Sequence, residues 1–168
     1  GSAKRGRARL WDLRTREPTA IFTEHTGPVW SVALSSSLQQ QYDRPEVAVS
    51  ASFDGTARVW PLNVQGVASS LATLEHPTWV FSTSIEGELC ATGCGDKLVR
   101  LWSLSTYECV RTLMHDTAGW VATPVFSVRF YGGVLASGGE DKTVKLWSVA
   151  DDGVECVATL PHGATVRG

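Results

Sequence analysis

The chain is 168 residues long, 43% hydrophobic and 19% charged, with a formal net charge of −2 at pH 7. That length is enough for one domain with a real core, and the near-neutral balance excludes an overall polycation suited to nucleic acid or anionic membrane. No apolar run approaches the roughly 20 residues that span a bilayer, and the small, basic start at Gly1–Arg5 has no apolar stretch behind it, so neither a membrane span nor a secretory leader is expected.

Taken in chain order, Arg5-Gly-Arg-Ala-Arg-Leu-Trp11-Asp12 reads as a strand of a hairpin, with Lys4, Arg5, Arg7 and Arg9 forming a basic cluster around it. His25 follows a short apolar run and precedes a turn. Val29–Leu34 mixes β-branched, aromatic and small residues, as strands do. Residues 35–46 are polar and contain a proline, the composition of an extended loop. Val49–Trp60 holds a tight turn at Asp54-Gly55 between two strands, and Ala91–Trp102 and Ala136–Trp147 hold turns at Asp96-Lys97 and Asp141-Lys142. Residues 116–124 form a second long loop, before the strand Val125–Phe130.

These three tracts align without gaps. Each places an Asp six residues before a Trp (Asp54/Trp60, Asp96/Trp102, Asp141/Trp147) and a hydroxyl four residues before the Asp (Ser50, Thr92, Ser137). The four histidines, His25, His76, His115 and His162, keep the same period, and Trp11, Trp60, Trp102 and Trp147 recur at intervals of about 45 residues. The repeats run 25–61, 76–103 and 115–148, with partial units at 1–24 and 162–168. Short strands at regular spacing with turn signals mean an all-β fold, and a repeat of this length fits a four-stranded sheet used many times over.

The same residues carry a family likeness: the chain resembles the Trp-Asp (WD) repeat proteins along nearly all its length. The resemblance implies a β-propeller of four-stranded antiparallel blades, here three to four of them, as a fragment of a seven-bladed ring of ~280–315 residues. It also implies one hydrogen-bond set per blade: His25–Asp54–Ser50–Trp60, His76–Asp96–Thr92–Trp102 and His115–Asp141–Ser137–Trp147. An indole N–H is a donor only, a hydroxyl can accept it and donate onward to an imidazole, and the carboxylate then fixes the tautomer. The pattern departs from the family at Glu24, Glu75, Met114 and Pro161, where a glycine usually precedes the histidine. It departs again at Pro61, Ser103 and Ser148, where an Asp usually follows the Trp; only Asp12 keeps that place.

Aligned after each histidine, Val29-Trp30-Ser31, Val80-Phe81-Ser82 and Val125-Phe126-Ser127 put an aromatic at one position, and the last partial unit puts Arg167 there. In the family this strand start opens at the mouth of the central channel, where peptides dock. The resemblance therefore implies a partner-binding set of Trp30, Phe81, Phe126 and Arg167, extended by Trp79 and Trp120; the competing expectation is that these rings pack between blades. Aromatics and Arg are the types enriched in interface hot spots.

The expected function is a non-catalytic scaffold that binds proteins or peptides within a multi-subunit complex, in the cytoplasm or nucleus. Each His and Asp is accounted for three times over, whereas an active site is unique, and no H-E-x-x-H, G-x-S-x-G or phosphate-loop pattern occurs. No cofactor is implied. The four cysteines form no C-x-x-C pair, so no metal is expected, and they read as reduced, buried side chains. Two alternatives stand beside this reading. One is a substrate-recognition subunit of a ubiquitin ligase, of which Tyr107–Leu113 is reminiscent. The other is a nucleic-acid-associated propeller using the basic cluster near the start. An open arc of blades would also expose strand edges, and self-association to complete the ring is a further expectation.

Overall fold

Alternation of apolar and small residues between the Asp-led turns produces fifteen strands and no helix among the described residues of the computed structural model, which are 6–35, 46–115, 123–150 and 152–167. Most of the two long loops, at 36–45 and 116–122, and with them Trp120, lie outside those residues, as do Lys4 and Arg5.

Three sheets are four-stranded and antiparallel. One is built from β3 (Val29–Leu34), β4 (Val47–Ser52), β5 (Thr56–Pro61) and β7 (Ala72–Glu75). The next has β8 (Val80–Glu86), β9 (Leu89–Cys94), β10 (Leu98–Ser103) and β11 (Cys109–Met114). The last has β12 (Val125–Tyr131), β13 (Val134–Gly139), β14 (Thr143–Ala150) and β15 (Gly153–Pro161). The first sheet differs. It holds β1 (Ala8–Asp12), β2 (Glu17–Phe22) and β6 (Gly66–Ala68), in the order β1-β2-β6, and β6 runs parallel to β2 with Ile21 opposite Val67. The all-β, blade-like architecture is thus present, with one sheet that is neither four-stranded nor wholly antiparallel.

The sheets stack face to face, and each gap is filled from both sides. Phe22 and Ala68 of the first sheet meet Ala48 and Trp60 of the second. Val49, Val59 and Leu74 of the second meet Val80, Cys90 and Trp102 of the third. Ala91, Val99 and Leu101 of the third meet Val128, Phe130 and Trp147 of the fourth. Cys90 and Cys94 are buried in this packing, and burial pushes their thiols up to about 12 and about 11. Cys109 and Cys156 are exposed, contrary to the expectation of four buried thiols, because they lie on the outermost strands β11 and β15.

Two local devices recur. The residue after each turn Asp has positive φ (Gly55 86°, Lys97 73°, Lys142 62°), and the Asp side chain accepts the amide two residues on, from Thr56, Leu98 and Thr143. In each complete sheet the ladder between the first two strands skips one residue, between Val29 and Ser31, Val80 and Ser82, and Val125 and Ser127. The skipped residue is Trp30, Phe81 or Phe126; such a bulge re-aims its side chain away from the regular alternation.

The inner strands are also stitched to one another. Ser31 Oγ accepts the Thr83 amide at 3.2 Å, Ser82 Oγ accepts the Val128 amide at 3.2 Å, and Ser84 Oγ accepts the Phe130 amide at 3.0 Å.

Glu24, one of the departures from the repeat pattern, has a specific task. Its carboxylate accepts from the Arg58 guanidinium, the Ser70 amide at 3.1 Å and the Ser70 hydroxyl at 2.6 Å. These bonds pin the segment that carries β6 across from the second sheet to the first. Glu24→Ala is expected to cost about 1–3 kcal/mol, because Arg58 stays largely buried without its carboxylate. Denaturant titration measures the loss, and hydrogen exchange should show the β6 amides deprotected ahead of the other strands.

Candidate functional site

The three bulged residues come together at one end of the stack. Trp30 lies 6.1 Å from Phe81 between ring centroids, edge to face, and Phe81 lies 5.0 Å from Phe126. The Arg167 guanidinium sits 5.0 Å over the Phe126 ring, a cation–π contact. Trp79 joins from the loop before β8, stacked on Phe53 at 4.1 Å and 12° and edge-on to Phe81 at 6.4 Å. Phe53 contacts Trp30 at 5.9 Å and Phe81 at 6.1 Å, so it touches both tryptophans and Phe81. Sequence reasoning missed it. The available signal is that the position before the turn Asp is Phe53 in one repeat but Gly95 and Glu140 in the others.

These rings hold one another in place, yet a large share of the indole surface stays in water: Trp30 is 60% exposed and Trp79 47%. Packing between sheets accounts for the partly buried Phe53, Phe81 and Phe126 but not for the two tryptophans. Arg7 and Arg9 are exposed at β1, in a different sheet.

The hydrogen-bond sets lie beneath this end. In the second sheet the chain is complete: Trp60 Nε1 donates to Ser50 Oγ at 2.7 Å, Ser50 Oγ meets His25 Nε2 at 2.7 Å, and His25 Nδ1 meets Asp54 Oδ2 at 2.9 Å. A carboxylate only accepts, so His25 Nδ1 carries the proton and Nε2 accepts from the serine. In the fourth sheet the links are Trp147 to Ser137 at 2.8 Å, Ser137 to His115 Nδ1 at 2.8 Å and His115 Nε2 to Asp141 at 3.2 Å, with the ring turned end for end.

The third sheet breaks the expected set. Trp102 Nε1 donates to Thr92 Oγ1 at 2.9 Å and Thr92 meets His76 Nε2 at 2.8 Å, but His76 Nδ1 donates to the Leu74 carbonyl at 2.9 Å, not to Asp96. Asp96 instead takes two bonds from Arg100, at 2.6 and 3.2 Å. The cause lies two residues past the turn. Thr56 and Thr143 donate their hydroxyls to Asp54 and Asp141 at 2.7 and 2.8 Å and hold them near the histidine; Leu98 has no hydroxyl to give. Arg58, the counterpart of Arg100, is kept away from Asp54 by Glu24.

The charges follow from these contacts. Burial opposes the Asp54 carboxylate, but bonds from Thr56, His25 and Thr26 outweigh it and hold it at about 2. Burial pushes His76 down from 6.5 to about 4, assisted by Arg100, and burial also lowers His25 and His115.

Double-mutant cycles should therefore give a His25–Asp54 coupling of about 1–3 kcal/mol and a His76–Asp96 coupling near zero. Stability should be flat near pH 7 and fall as pH drops from 6.5 toward 4, because the unfolded histidines take up protons that the folded ones refuse. The fall should be shallower in His76→Gln, and loss of the Asp54 carboxylate should add to it only below pH 4. Urea titrations at a series of pH values measure both.

The chain matches the sequence pattern of the family described as "WD domain, G-beta repeat" three times, over residues 16–61, 68–103 and 107–148. It is 32% identical over 114 residues to the protein transport protein SEC13 of Phaeosphaeria nodorum, covering 62% of this chain and 36% of that one. It is 31% identical over 106 residues to human WD repeat and SOCS box-containing protein 1, covering 61% and 23% of the two chains. It is 36% identical over 63 residues to mouse jouberin, covering 36% of this chain and 6% of that one. The chain thus spans about a third or less of these curated relatives. No helix among the described residues is long and apolar enough to cross a membrane. Three matched repeats over most of the sequence, on three four-stranded antiparallel sheets, show that the chain belongs to the WD-repeat family and forms part of a β-propeller.

Proposed function

We propose that this chain is a non-catalytic interaction scaffold that docks a peptide or protein segment on its aromatic end. The observation that carries the reading is the convergence of Trp30, Phe53, Trp79, Phe81 and Phe126 from three strand bulges, a turn and a loop into one patch, with both indoles substantially in water. Rigid aromatic side chains bury much area at small entropic cost, and Arg167 at the rim adds a bidentate donor for a carboxylate or a backbone carbonyl. His25, His76 and His115 and the turn carboxylates support the same reading, since they are spent on bonds inside the sheets rather than gathered around one reacting position.

The membership of relatives in transport or SOCS-box proteins, as their names describe them, does not choose the partner of this chain. The test is affinity capture with quantitative mass spectrometry, comparing the parent with Trp30→Ala and Trp79→Ala. Each variant is expected to lose about tenfold or more of the specific partner signal at unchanged melting temperature. Leu13→Ala, an exposed side chain in the turn after β1, is expected to lose nothing. Retention of the full partner set by both Trp variants, with the fold intact, sinks the proposal.

A further inference from the structure

Counterpart positions in the repeats show how each gap between sheets is sealed at the end away from the aromatic rings. On the outer strands, the residues paired with Leu10, Val59, Leu101 and Leu146 are Ala20, Ala72, Arg111 and Ala158. Leu62, Leu104 and Val149 stand two residues past Trp60, Trp102 and Trp147. Ala20 packs with Leu62 and Val64 between the first and second sheets, and Ala72 with Leu104 and Tyr107 between the second and third. The gap between the third and fourth sheets has Val149 in place of the leucine and Val154 in place of Tyr107. Tyr107 and Val154 each stand two residues before the cysteine that pairs with the repeat Trp. Arg111, an exposed side chain, replaces the alanine.

With these three changes the gap between the third and fourth sheets holds a cleft of about 640 Å³. Leu89, Leu101, Phe130, Val149 and Val154 give it apolar walls. Leu89 is partly exposed, whereas Val47, the matching first residue of β4, is buried beneath Leu104 and Tyr107. Glu86 and Glu88 line the inner end, at the β8–β9 turn, and Arg111 lines the outer end, on β11. Glu86 is fixed in place: Oε1 accepts the Gly132 amide at 2.7 Å and Oε2 the Gly133 amide at 2.8 Å. The Arg111 guanidinium donates to the Val110 carbonyl at 2.8 Å and forms no ion pair with a described residue.

We propose that this cleft binds an extended peptide segment of a partner protein, with an acidic residue at one end, a basic residue at the other and an apolar side chain between them. Charge sets the orientation. The acidic side chain pairs with Arg111, whose planar guanidinium suits a carboxylate, and the basic one lies toward Glu86 and Glu88. The apolar side chain covers Leu89, Phe130 and Val154. Length sets the spacing. In the order β11-β10-β9-β8 the β8–β9 turn lies roughly 12 Å from β11, and three steps of an extended chain span roughly 10 Å, so the two charges stand three residues apart. The volume falls within the ~300–1,000 Å³ usual for binding clefts. Phe81 stands near the start of β8 and Glu86 at its far end, roughly 17 Å along the strand, so the cleft is separate from the aromatic end and the inference does not rest on it.

The probes are two capped tetrapeptides, acetyl-Lys-Leu-Val-Glu-amide and acetyl-Glu-Val-Leu-Lys-amide, one for each chain direction. They are titrated into the 168-residue chain while amide resonances are followed by NMR. The expected result is saturable one-to-one binding of one of them, with shifts at Gly133, Gly153 and Val154 and none at Phe53 or Phe81. The neutral peptide acetyl-Gln-Leu-Val-Gln-amide should bind about tenfold more weakly. Arg111→Ala and Val154→Tyr each install the residue that seals another gap, and each should weaken binding about tenfold or more. Val154→Tyr should not lower the melting temperature, since Tyr107 fills the matching place; Arg111→Ala alters an exposed side chain and decides the matter if Val154→Tyr fails to fold. No saturable binding of either peptide up to roughly 1 mM overturns the proposal. So does equal binding of the neutral peptide, binding indifferent to Arg111→Ala, or binding that Trp30→Ala removes.

Discussion

Among the described residues, the indole N–H groups of Trp60, Trp102 and Trp147 lie buried, each donating to one hydroxyl, and that pairing governs much of what surrounds it. A hydroxyl that accepts from an indole has one proton left to give. In all three sheets it goes to a histidine, and the opposite ring nitrogen must then donate to a pure acceptor. Asp54, Asp141 and the Leu74 carbonyl are those acceptors. Because each imidazole is buried and fully bonded while neutral, protonation is resisted, which is why burial lowers all three. The tryptophan thus fixes the hydroxyl, the hydroxyl fixes the tautomer, and the tautomer fixes where the turn must present an oxygen.

Much of this was legible in the sequence because the participants lie in contiguous tracts with invariant internal spacing. Ser50, Asp54 and Trp60 can be read off one twelve-residue stretch, and two copies of that stretch fix which positions matter. The histidine lies further away in the chain but keeps the period. What escaped reading depends on competition between side chains from different elements. Asp96 sits at the expected place and still bonds elsewhere, because Leu98 lacks a hydroxyl and Arg100 is within reach. The parallel pairing of β6 with β2 is a long-range contact of a short segment with no periodic signal. Phe53 is a single substitution against the repeat, and its importance appears only once Trp30, Trp79 and Phe81 are seen around it.

The bulge in each inner strand connects the structural repeats to the surface. Without it, strict alternation would send residue 30, 81 or 126 to one face of its sheet, into the packing against a neighbour. With it, the ladder passes over that residue and the side chain turns to the end of the stack. One backbone irregularity, used three times, thereby converts a repeated core pattern into a row of aromatic rings. The row owes its identity to the sequence at those positions and its location to the backbone. This separation lets a scaffold change its partner without changing its fold.

The serine stitching between inner strands carries a sense of direction. Each inner strand lends hydroxyl oxygens forward to the amides of the next, from Ser31 to Thr83 and from Ser82 to Val128, and none of these bonds runs backward. The contact between sheets is therefore head-to-tail: the surface that gives differs from the surface that receives. Interfaces of that kind have no two-fold symmetry of their own. Repeated, they either come round to meet their starting point or wind on without limit, and which occurs depends on the rotation from one unit to the next. A set of sheets built this way has polarity, much as a filament does, even when only a few units are present.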